Sequence, residues 1–396
     1  MIYLDHAATT PTDPRVVEAM LPVLTESYGN PSSVYGLGSA ALDLVSRARE
    51  TLANILGASR DEVIFTSGAS EATNLAIKGC ALAARAAGRG CHVITTATEH
   101  HATLHAVAAL DRLGFASTVL PVDRFGRISP EALAGAIRPD TVLVSAIYAN
   151  NEIGTINPVA ALAAVCRARG VVFHVDAVQA VGALPMNVDE LGADLVSISG
   201  HKFYGPKGIG MLYARHGVAL DPLIHGGAQE GGRRAGTENV PGIVGLAAAM
   251  QLAHDELEAN VLHSHRLRDR LIEGVLGSIR DASLNGHPSD RLPNNAHFTF
   301  RHTEGSKTTE SLVGALDHNG ICASTGSACN TRAIEPSHVL MAIGLSAGDA
   351  HGSLRFTLGR SNTDEQITRV LELLPEIIRR RRTVSRAELG ARSRAP

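Results

Sequence analysis

Lys202 is the residue of this sequence that is best placed for covalent chemistry. It follows the apolar run Leu195–Ser199, which predicts a buried strand, and it precedes a Gly/Pro turn at residues 205–208. A lysine that leaves a strand into a glycine-rich crevice can form a Schiff base with a cofactor aldehyde. The four lysines of the chain are Lys78, Lys202, Lys207 and Lys307. Lys202 and Lys207 are the candidates, and a solvated loop lysine is the alternative.

An aspartate and a histidine follow two other predicted strands. Asp176 ends the run that begins at Val171, and it could be a metal ligand, a helix cap or the partner of a protonated pyridine nitrogen. Pyridoxal phosphate needs the last of these, because a protonated ring is the better electron sink. His100 follows the run His92–Thr95 and could stack on such a ring and exchange protons.

The strand Val63–Thr66 leads into a short stretch of small residues, Ser67-Gly68-Ala69-Ser70, before a predicted helix. Backbone N–H groups at such a helix start can bind phosphate, and the two hydroxyls can add donors. An ordinary helix cap is the alternative. The Walker and dinucleotide glycine patterns are both missing from this stretch of sequence.

A metal site is the competing interpretation for the histidines that come next. His101 and His105 are four residues apart and share one face of a predicted helix. Cysteine or carboxylate ligands at matching spacing do not accompany them, so we expect no resident metal.

The predicted strands alternate with Ala/Leu-rich helical stretches between about residues 60 and 215. This alternation predicts an α/β domain with a mostly parallel sheet, whose site lies at the carboxyl ends of the strands. Each chemically suggestive residue in the region, Glu99 among them, follows a strand. The predicted strands are Val63–Thr66, His92–Thr95, Ala116–Val122, Thr141–Ala149, Val171–Val175, Leu195–Ser199 and Gly210–Ala214.

A second, smaller α/β domain is expected towards the C-terminus. A long helical stretch, Val240–Leu276, leads to it, and Ala296–Phe300 and Leu354–Leu358 are strand-like. We expect residues 15–257 to form the large domain and residues 1–14 with 258–378 the small one. Residues 379–396 are rich in arginine and are interpreted as a flexible tail.

Composition excludes several classes of protein. The 396 residues carry a net charge of −3, which gives no general basic face for nucleic acid. We expect no membrane span, because no stretch approaches about 18 consecutive apolar residues, and no signal peptide. Five cysteines without a framework spacing favour reduced thiols in a cytoplasm. They are Cys80, Cys91, Cys166, Cys322 and Cys329.

The order of several motifs resembles the cysteine desulfurases of the NifS and IscS type, in the class V aminotransferase branch of the fold-type-I pyridoxal-phosphate enzymes. The resemblance runs from Tyr3 to about Arg360. It rests on Tyr3-Leu-Asp-His-Ala-Ala-Thr-Thr-Pro11, Gly29-Asn-Pro-Ser-Ser33, Thr66-Ser-Gly-Ala-Ser-Glu71, Thr98-Glu-His100, Asn150-Asn-Glu-Ile-Gly154, His174-Val-Asp-Ala177, Gly200-His-Lys202, Arg234-Ala-Gly-Thr237 and Arg355-Phe-Thr-Leu-Gly-Arg360.

The resemblance implies a role for each matching position. Lys202 would carry pyridoxal phosphate, Asp176 would pair with its ring nitrogen, Gln179 would meet its phenolic oxygen and His100 would stack on the ring. Arg355 would bind the substrate carboxylate, with Asn151 beside the substrate or ring. The phosphate would be held by Ala69, Ser70, Ser199 and His201, with Thr237 given by the second subunit of a homodimer. Ser70 departs from the usual threonine but keeps the hydroxyl.

The segment Thr325-Gly-Ser-Ala-Cys329 matches the Ser-Gly-Ser-Ala-Cys pattern of the longer-loop desulfurases. Small residues favour a mobile loop, and Cys329 needs a nearby base or cation to act as a thiolate, because a free thiol has a pKa of about 8.5. Cys322 continues an apolar run and is interpreted as structural. The residues after Cys329 depart from the commoner Thr-Ser-Gly run, which leaves the acceptor partner open.

The expected activity is therefore that of a cytoplasmic L-cysteine desulfurase. Cysteine would yield alanine and a persulfide on Cys329, which would pass sulfur to an acceptor protein of iron–sulfur assembly, thiolation or DNA sulfur modification. Cys329 could also transiently ligate an iron–sulfur cluster with a scaffold partner. An aminotransferase of the same class and a non-catalytic cofactor-binding scaffold are the alternatives.

Overall fold

A seven-stranded sheet lies at the centre of the protein. The computed structural model describes residues 1–303, 311–325 and 336–392. In this part of the chain the strands are β1 (Ile2–Tyr3), β2 (Val63–Thr66), β3 (His92–Thr96), β4 (Ala116–Leu120), β5 (Thr141–Ile147), β6 (Val172–Asp176), β7 (Leu195–Ser199), β8 (Gly210–Ala214), β9 (Ala282–Asn285), β10 (Asn295–Phe300), β11 (Ile321–Cys322) and β12 (Ser353–Thr357).

The helices of the described residues occupy the connections between these strands and the segment that follows β12. They are α1 (Pro14–Thr25), α2 (Gly36–Leu56), α3 (Ala69–Asn74), α4 (Cys80–Ala86), α5 (His101–Asp111), α6 (Pro130–Ala136), α7 (Val159–Ala168), α8 (Val188–Leu191), α9 (Val240–Asp255), α10 (Leu257–Ser278), α11 (Leu312–His318), α12 (His338–Ala342), α13 (Ala347–His351) and α14 (Asp364–Arg392). Of the helices in the described ranges, none is long and apolar enough to cross a membrane.

The large sheet has the order β2-β8-β7-β6-β5-β3-β4. β8 runs antiparallel to both of its neighbours, and the other pairs are parallel. The prediction of a mostly parallel seven-stranded sheet is confirmed, and the bounds of β2, β7 and β8 are those predicted. Parallel strands need helical crossovers that cover both faces, which is why the central strands β3, β5, β6 and β7 are buried almost along their whole length.

Alternate residues of one strand enter opposite cores, as the two-residue period of a strand requires. Val63 and Phe65 of β2 pack in the core formed with α1, α2, α7 and α9. Ile64, between them, packs in the core on the other face with α4 and α5. The sheet is thus held between two helical layers, and its strand ends are fixed in position.

A three-stranded antiparallel sheet, β12-β10-β9, forms a separate core with α10, α11 and α14. The N-terminal strand joins this part, because β1 pairs with β11 and Leu4 is buried in the same core. These contacts support the proposal that residues 1–14 and 258–378 make up one domain and residues 15–257 the other.

Two details differ from the sequence predictions. The helical stretch from Val240 is two helices, because Glu256 adopts a non-helical conformation (φ −98°, ψ 6°) between α9 and α10. Residues 379–392, which were expected to belong to a flexible tail, instead continue α14 as helix. Arginine favours helices, and Arg382 donates a hydrogen bond to the carbonyl of Arg301 at 2.9 Å.

Candidate active site

A cavity of about 540 Å³ opens at the carboxyl ends of the central strands. Such an edge is where the loops after parallel strands converge. Ten residues predicted for the site line this cavity. They are Ala69, Ser70, His100, Asn151, Asp176, Gln179, Ser199, His201, Lys202 and Arg355.

Lys202 lies in a single 3₁₀ turn that directly follows β7. Its Nζ donates hydrogen bonds to the carbonyl oxygens of Ala7 and Ala8 at 2.6 and 2.8 Å. Gln179 donates to the same Ala7 carbonyl at 3.0 Å. Lys207 also lines the cavity but is exposed. The N-terminal segment therefore holds the Lys202 amine inside the cavity.

Asp176 is the last residue of β6 and is only 4% exposed. One of its oxygens accepts a hydrogen bond from the N–H of Val178 at 3.1 Å. Burial raises the pKa of its carboxyl to about 6, while that hydrogen bond and the charge of Lys202 lower it. The carboxylate is consequently ionised at neutral pH, as a partner of a cationic ring must be.

His100 caps the N-terminus of α5, and its Nδ1 accepts a hydrogen bond from the N–H of Ala102 at 3.1 Å. Burial, together with the charge of Lys202, lowers the pKa of His100 to about 4. The ring is neutral at pH 7 with its proton on Nε2. A neutral, fixed imidazole can pack against an aromatic ring and exchange a proton.

Arg355 lies on β12 and is 1% exposed. Its Nη2 is 2.7 Å from Oδ1 of Asp5, and its Nη1 donates to the carbonyl of Asn151 at 2.9 Å. The side chain thus joins the small part of the molecule to the large sheet. An arginine held in this way presents a pre-oriented guanidinium to the cavity it lines.

The turn Ser67–Ser70 leads from β2 into α3, which continues through a π-helical turn into α4. Glu71 fixes the turn, because its Oε2 accepts from the N–H of Ser67 at 2.7 Å and its Oε1 pairs with Arg234 at 2.9 Å. Opposite this turn, His201 is bonded through Nδ1 to the hydroxyl of Thr9 at 3.0 Å. Small residues and helical N–H groups are what a phosphate requires.

Thr237 lies apart from the ten residues of the main cavity. It is exposed and lines a smaller hollow together with Ser67 and Gly208. The ion pair between Arg234 and Glu71 ties this segment to the turn Ser67–Ser70. The main cavity therefore lacks Thr237 among its described lining residues.

Cys329 lies outside the described residues, but the residues on either side of its segment contact the site. Ser324 exchanges two backbone hydrogen bonds with Arg355. Ser337 donates from its hydroxyl to Oε2 of Glu152 at 2.5 Å, and His338 donates from Nε2 to the carbonyl of Glu99 at 2.9 Å. The described residues that flank the segment of Cys329 are thus bonded to residues that line the cavity.

The cysteines in the described part of the chain fit packing roles. Cys80 and Cys166 are buried, and burial raises the pKa of both thiols to about 12. Cys91 is half-buried, and Cys322 ends β11 beside Tyr3.

Sequence reasoning assigned no role to Asp5, Glu152 or His338. Asp5 belongs to the motif at residues 3–11, and Glu152 directly follows Asn151. Their positions beside predicted site residues could therefore have indicated that they lie in the site. His338 had none, because its partner Glu99 is 239 residues away.

The histidines of α5 come together with His338 at the rim of the cavity. The ring of His101 is 5.2 Å from that of His105 and 4.6 Å from that of His338, measured between centroids. Among the described residues no group of three or more His, Cys, Asp or Glu side chains is arranged to hold a metal ion.

A family model described as aminotransferase class V matches residues 2–370 of the chain. A protein named cysteine desulfurase IscS from Methanosarcina thermophila is 53% identical over 384 residues, which is 97% of this chain and 93% of that protein. The chain belongs to the class V aminotransferase family, in its cysteine desulfurase branch.

Solved structures of similar proteins share the class V fold. A NifS-like protein superposes with a TM-score of 0.87 at 39% identity, covering 95% of this chain and 99% of that one. The structure of SspA in complex with cysteine superposes with a TM-score of 0.80 at 36% identity, covering 92% of this chain and all of that one.

The cavity residues fit the pyridoxal phosphate that class V membership implies. A lysine amine, a buried ionised carboxylate and a neutral imidazole line one space, and a helix start with small residues lies at its edge. These are the groups that an aldehyde, a pyridinium nitrogen, an aromatic face and a phosphate require.

Proposed function

We propose that the protein is an L-cysteine desulfurase that uses pyridoxal phosphate and transfers sulfur to Cys329. The observation that carries the proposal is the convergence of Lys202, Asp176, His100 and Arg355 on one cavity at the strand ends. The relatives named cysteine desulfurase support the same activity.

Four residues of the chain would hold the body of the cofactor. Lys202 would bind its aldehyde, Asp176 would hold the proton on its ring nitrogen, Gln179 would meet its phenolic oxygen and His100 would pack on its face. The phosphate would be bound by Ala69, Ser70, Ser199 and His201, with Thr237 of the partner subunit. When bound, pyridoxal phosphate supplies an electron sink for negative charge at the substrate α-carbon.

The other residues would bind cysteine and move its proton and sulfur. Arg355 and Asn151 would bind and orient the substrate carboxylate. Once cysteine has taken its place on the cofactor, the amine of Lys202 would remove the α-proton. The thiolate of Cys329 would then attack the substrate sulfur and keep it as a persulfide, while the remaining three carbons leave as alanine.

A homodimer with shared sites is part of the proposal. Exposed large apolar side chains concentrate on the first two helices and the loop between them: Val17, Leu21, Leu24, Tyr28, Val34, Tyr35 and Leu42. A hollow lined by Leu42, Arg49 and Glu230 makes this surface continuous with the segment that carries Thr237. An apolar patch of this kind marks an interface, and we propose a second copy as its occupant.

The sulfur acceptor would be a protein of iron–sulfur assembly, of thiolation or of DNA sulfur modification. The cytoplasm would be the compartment, because five cysteines without the spacing of a disulfide framework favour a reducing compartment. Cys329 could ligate an iron–sulfur cluster transiently while such a scaffold is bound.

The test is the fate of sulfur in purified protein given L-cysteine. Wild type should release alanine and carry one extra sulfur on the peptide that contains Cys329, as measured by mass spectrometry. Cys329→Ser should bind cofactor but release neither alanine nor sulfide, whereas Cys322→Ser should keep most activity. Amino-group transfer to a keto acid by the Cys329→Ser protein would instead favour an aminotransferase.

A further inference from the structure

Glu99 is a buried acid that lines the cavity and has no role in the proposed mechanism. The residue is fully buried and lines the cavity between β3 and α5. Its Oε1 accepts hydrogen bonds from the hydroxyl of Thr96 at 2.6 Å and from the N–H of Ile147 at 2.9 Å. Its Oε2 is buried too and has no hydrogen-bond partner within the described ranges. One oxygen is fixed as an acceptor, and the other is left to carry a proton.

The surroundings of this carboxyl disfavour its charge. Burial raises the pKa of Glu99 to about 8, against the two hydrogen bonds to Oε1, and the charge of Asp176 adds to the increase. Glu230 has different surroundings: it is also buried, but it is paired with Arg49 at 2.7 Å and accepts a hydrogen bond from the N–H of Phe65. A buried carboxylate needs such a cation to remain ionised.

The groups around Glu99 come from β5, β6, the start of α5, α12 and the turn after β7. Ile147, which binds Oε1, lies opposite Asp176 in the pairing of β5 with β6, so the two acids stand at neighbouring strand ends. His100 is the next residue after Glu99 and caps the N-terminus of α5. His338 of α12 donates a hydrogen bond to the carbonyl of Glu99. Burial lowers the pKa of both imidazoles, so both are neutral at pH 7. Lys202 supplies a positive charge near these side chains, and this charge lowers the pKa of Asp176.

We propose that Glu99 is a positioning residue held as the neutral acid, so that of the two carboxyls Asp176 carries the negative charge at the floor of the cavity. A second negative charge there would hold the proton on the ring nitrogen of the cofactor more tightly, and it would change how readily the ring accepts electrons. The effect on the cofactor rests on the proposed function, whereas the protonation state of Glu99 does not.

Infrared spectroscopy of the full-length protein with pyridoxal phosphate tests the protonation state directly. At pH 7 the wild type should show the C=O stretching band of a protonated carboxyl, and Glu99→Gln should lack it. The band should disappear with a midpoint near pH 8 as the acid ionises. If the bands of wild type and E99Q are the same at pH 7, Glu99 is ionised and the proposal is overturned, whatever the activity.

The absorbance of the bound cofactor tests the consequence. The wild-type spectrum should change near pH 8, and E99Q should lose that change while keeping the wild-type spectrum at pH 7, because glutamine is a neutral isostere. Glu230→Gln is the matched control: it removes a buried glutamate that is paired with Arg49 and should leave the cofactor titration unchanged. A spectrum displaced in E99Q at pH 7 would overturn the positioning role.

Thr96→Val gives a second test that keeps the acid. It removes one donor to Oε1, which stabilises the ionised form, so both transitions should move to higher pH. Transitions that stay in place would show that another group titrates.

Discussion

The guanidinium of Arg355 and the carboxylate of Asp5 lie 2.7 Å apart, although 350 residues separate them in the sequence. The arginine side chain is 2% exposed and that of Asp5 is 18% exposed. A buried cation of this kind needs its partner, because an unpaired one would bear the full cost of leaving water.

Asp5→Asn should therefore lower the free energy of unfolding by about 2–3 kcal/mol, with Arg355 still bonded to the carbonyl of Asn151. Urea unfolding measures this. In the double variant Asp5→Asn/Arg355→Gln the loss should be smaller than the sum of the single losses, because the buried charge is gone. Additive losses would mean that the two side chains do not stabilise each other.

Lys202→Ala should abolish the borohydride-reducible link to the cofactor, whereas Lys207→Ala should keep it. The reason is position, since the Lys202 amine is held inside the cavity by two carbonyls while Lys207 is exposed. The mass of the intact chain after reduction reports the link, and circular dichroism checks that both variants fold. Loss of the link in Lys207→Ala alone would reverse the assignment.

Asp176 should make the stability of the cofactor-free protein fall as pH rises. Its folded-state pKa is raised to about 6, so ionisation favours the unfolded chain from about pH 4 upward and the penalty is complete above pH 6. Asp176→Asn should be more stable than wild type by about 2–3 kcal/mol at pH 7 and equal to it near pH 4. Urea unfolding at both pH values measures the difference.

Pyridoxal phosphate should reverse that order. A cationic ring pairs with the Asp176 carboxylate but not with an asparagine, so the cofactor should stabilise wild type at pH 7 far more than Asp176→Asn. Equal stabilisation of both proteins would remove Asp176 from the cofactor site.

Mixing two defective proteins should restore activity if Thr237 serves the partner's site. In a hybrid dimer of Lys202→Ala with Thr237→Val, one site carries both defects and the other carries neither. The mixture should exceed the mean activity of the two parent proteins after subunit exchange. An active monomer in sedimentation would contradict the shared site, as would an unchanged mean.

Much of the large sheet could be predicted because its strands are buried on both faces. The runs Val63–Thr66 and Leu195–Ser199 are continuous and end at turn residues, which is the signal that a strand buried on both faces gives. β9, by contrast, is short and half-buried, and its sequence Ala-Ser-Leu-Asn carries no such signal. The break at Glu256 lacks a glycine or proline, so nothing in the sequence marked it.

The residues of the site also differ in how far the sequence predicts them. Lys202 and Asp176 follow strands, so the fold class alone predicts that they meet. The bond between Ser337 and Glu152 joins residues 185 apart, and its side chains have no local pattern that reveals it. Contacts of this kind are set by tertiary packing, which a single sequence does not display.

The pairing of β1 with β11 and of Asp5 with Arg355 has a consequence for biosynthesis. At roughly 5–20 residues per second, about 20–70 seconds pass between synthesis of residue 5 and of residue 355. During that time the large sheet can form, but the segment whose carbonyls hold Lys202 lacks its later partners. Closing a contact over so long a chain is slow, so capture of the cofactor should be a late event that follows release from the ribosome.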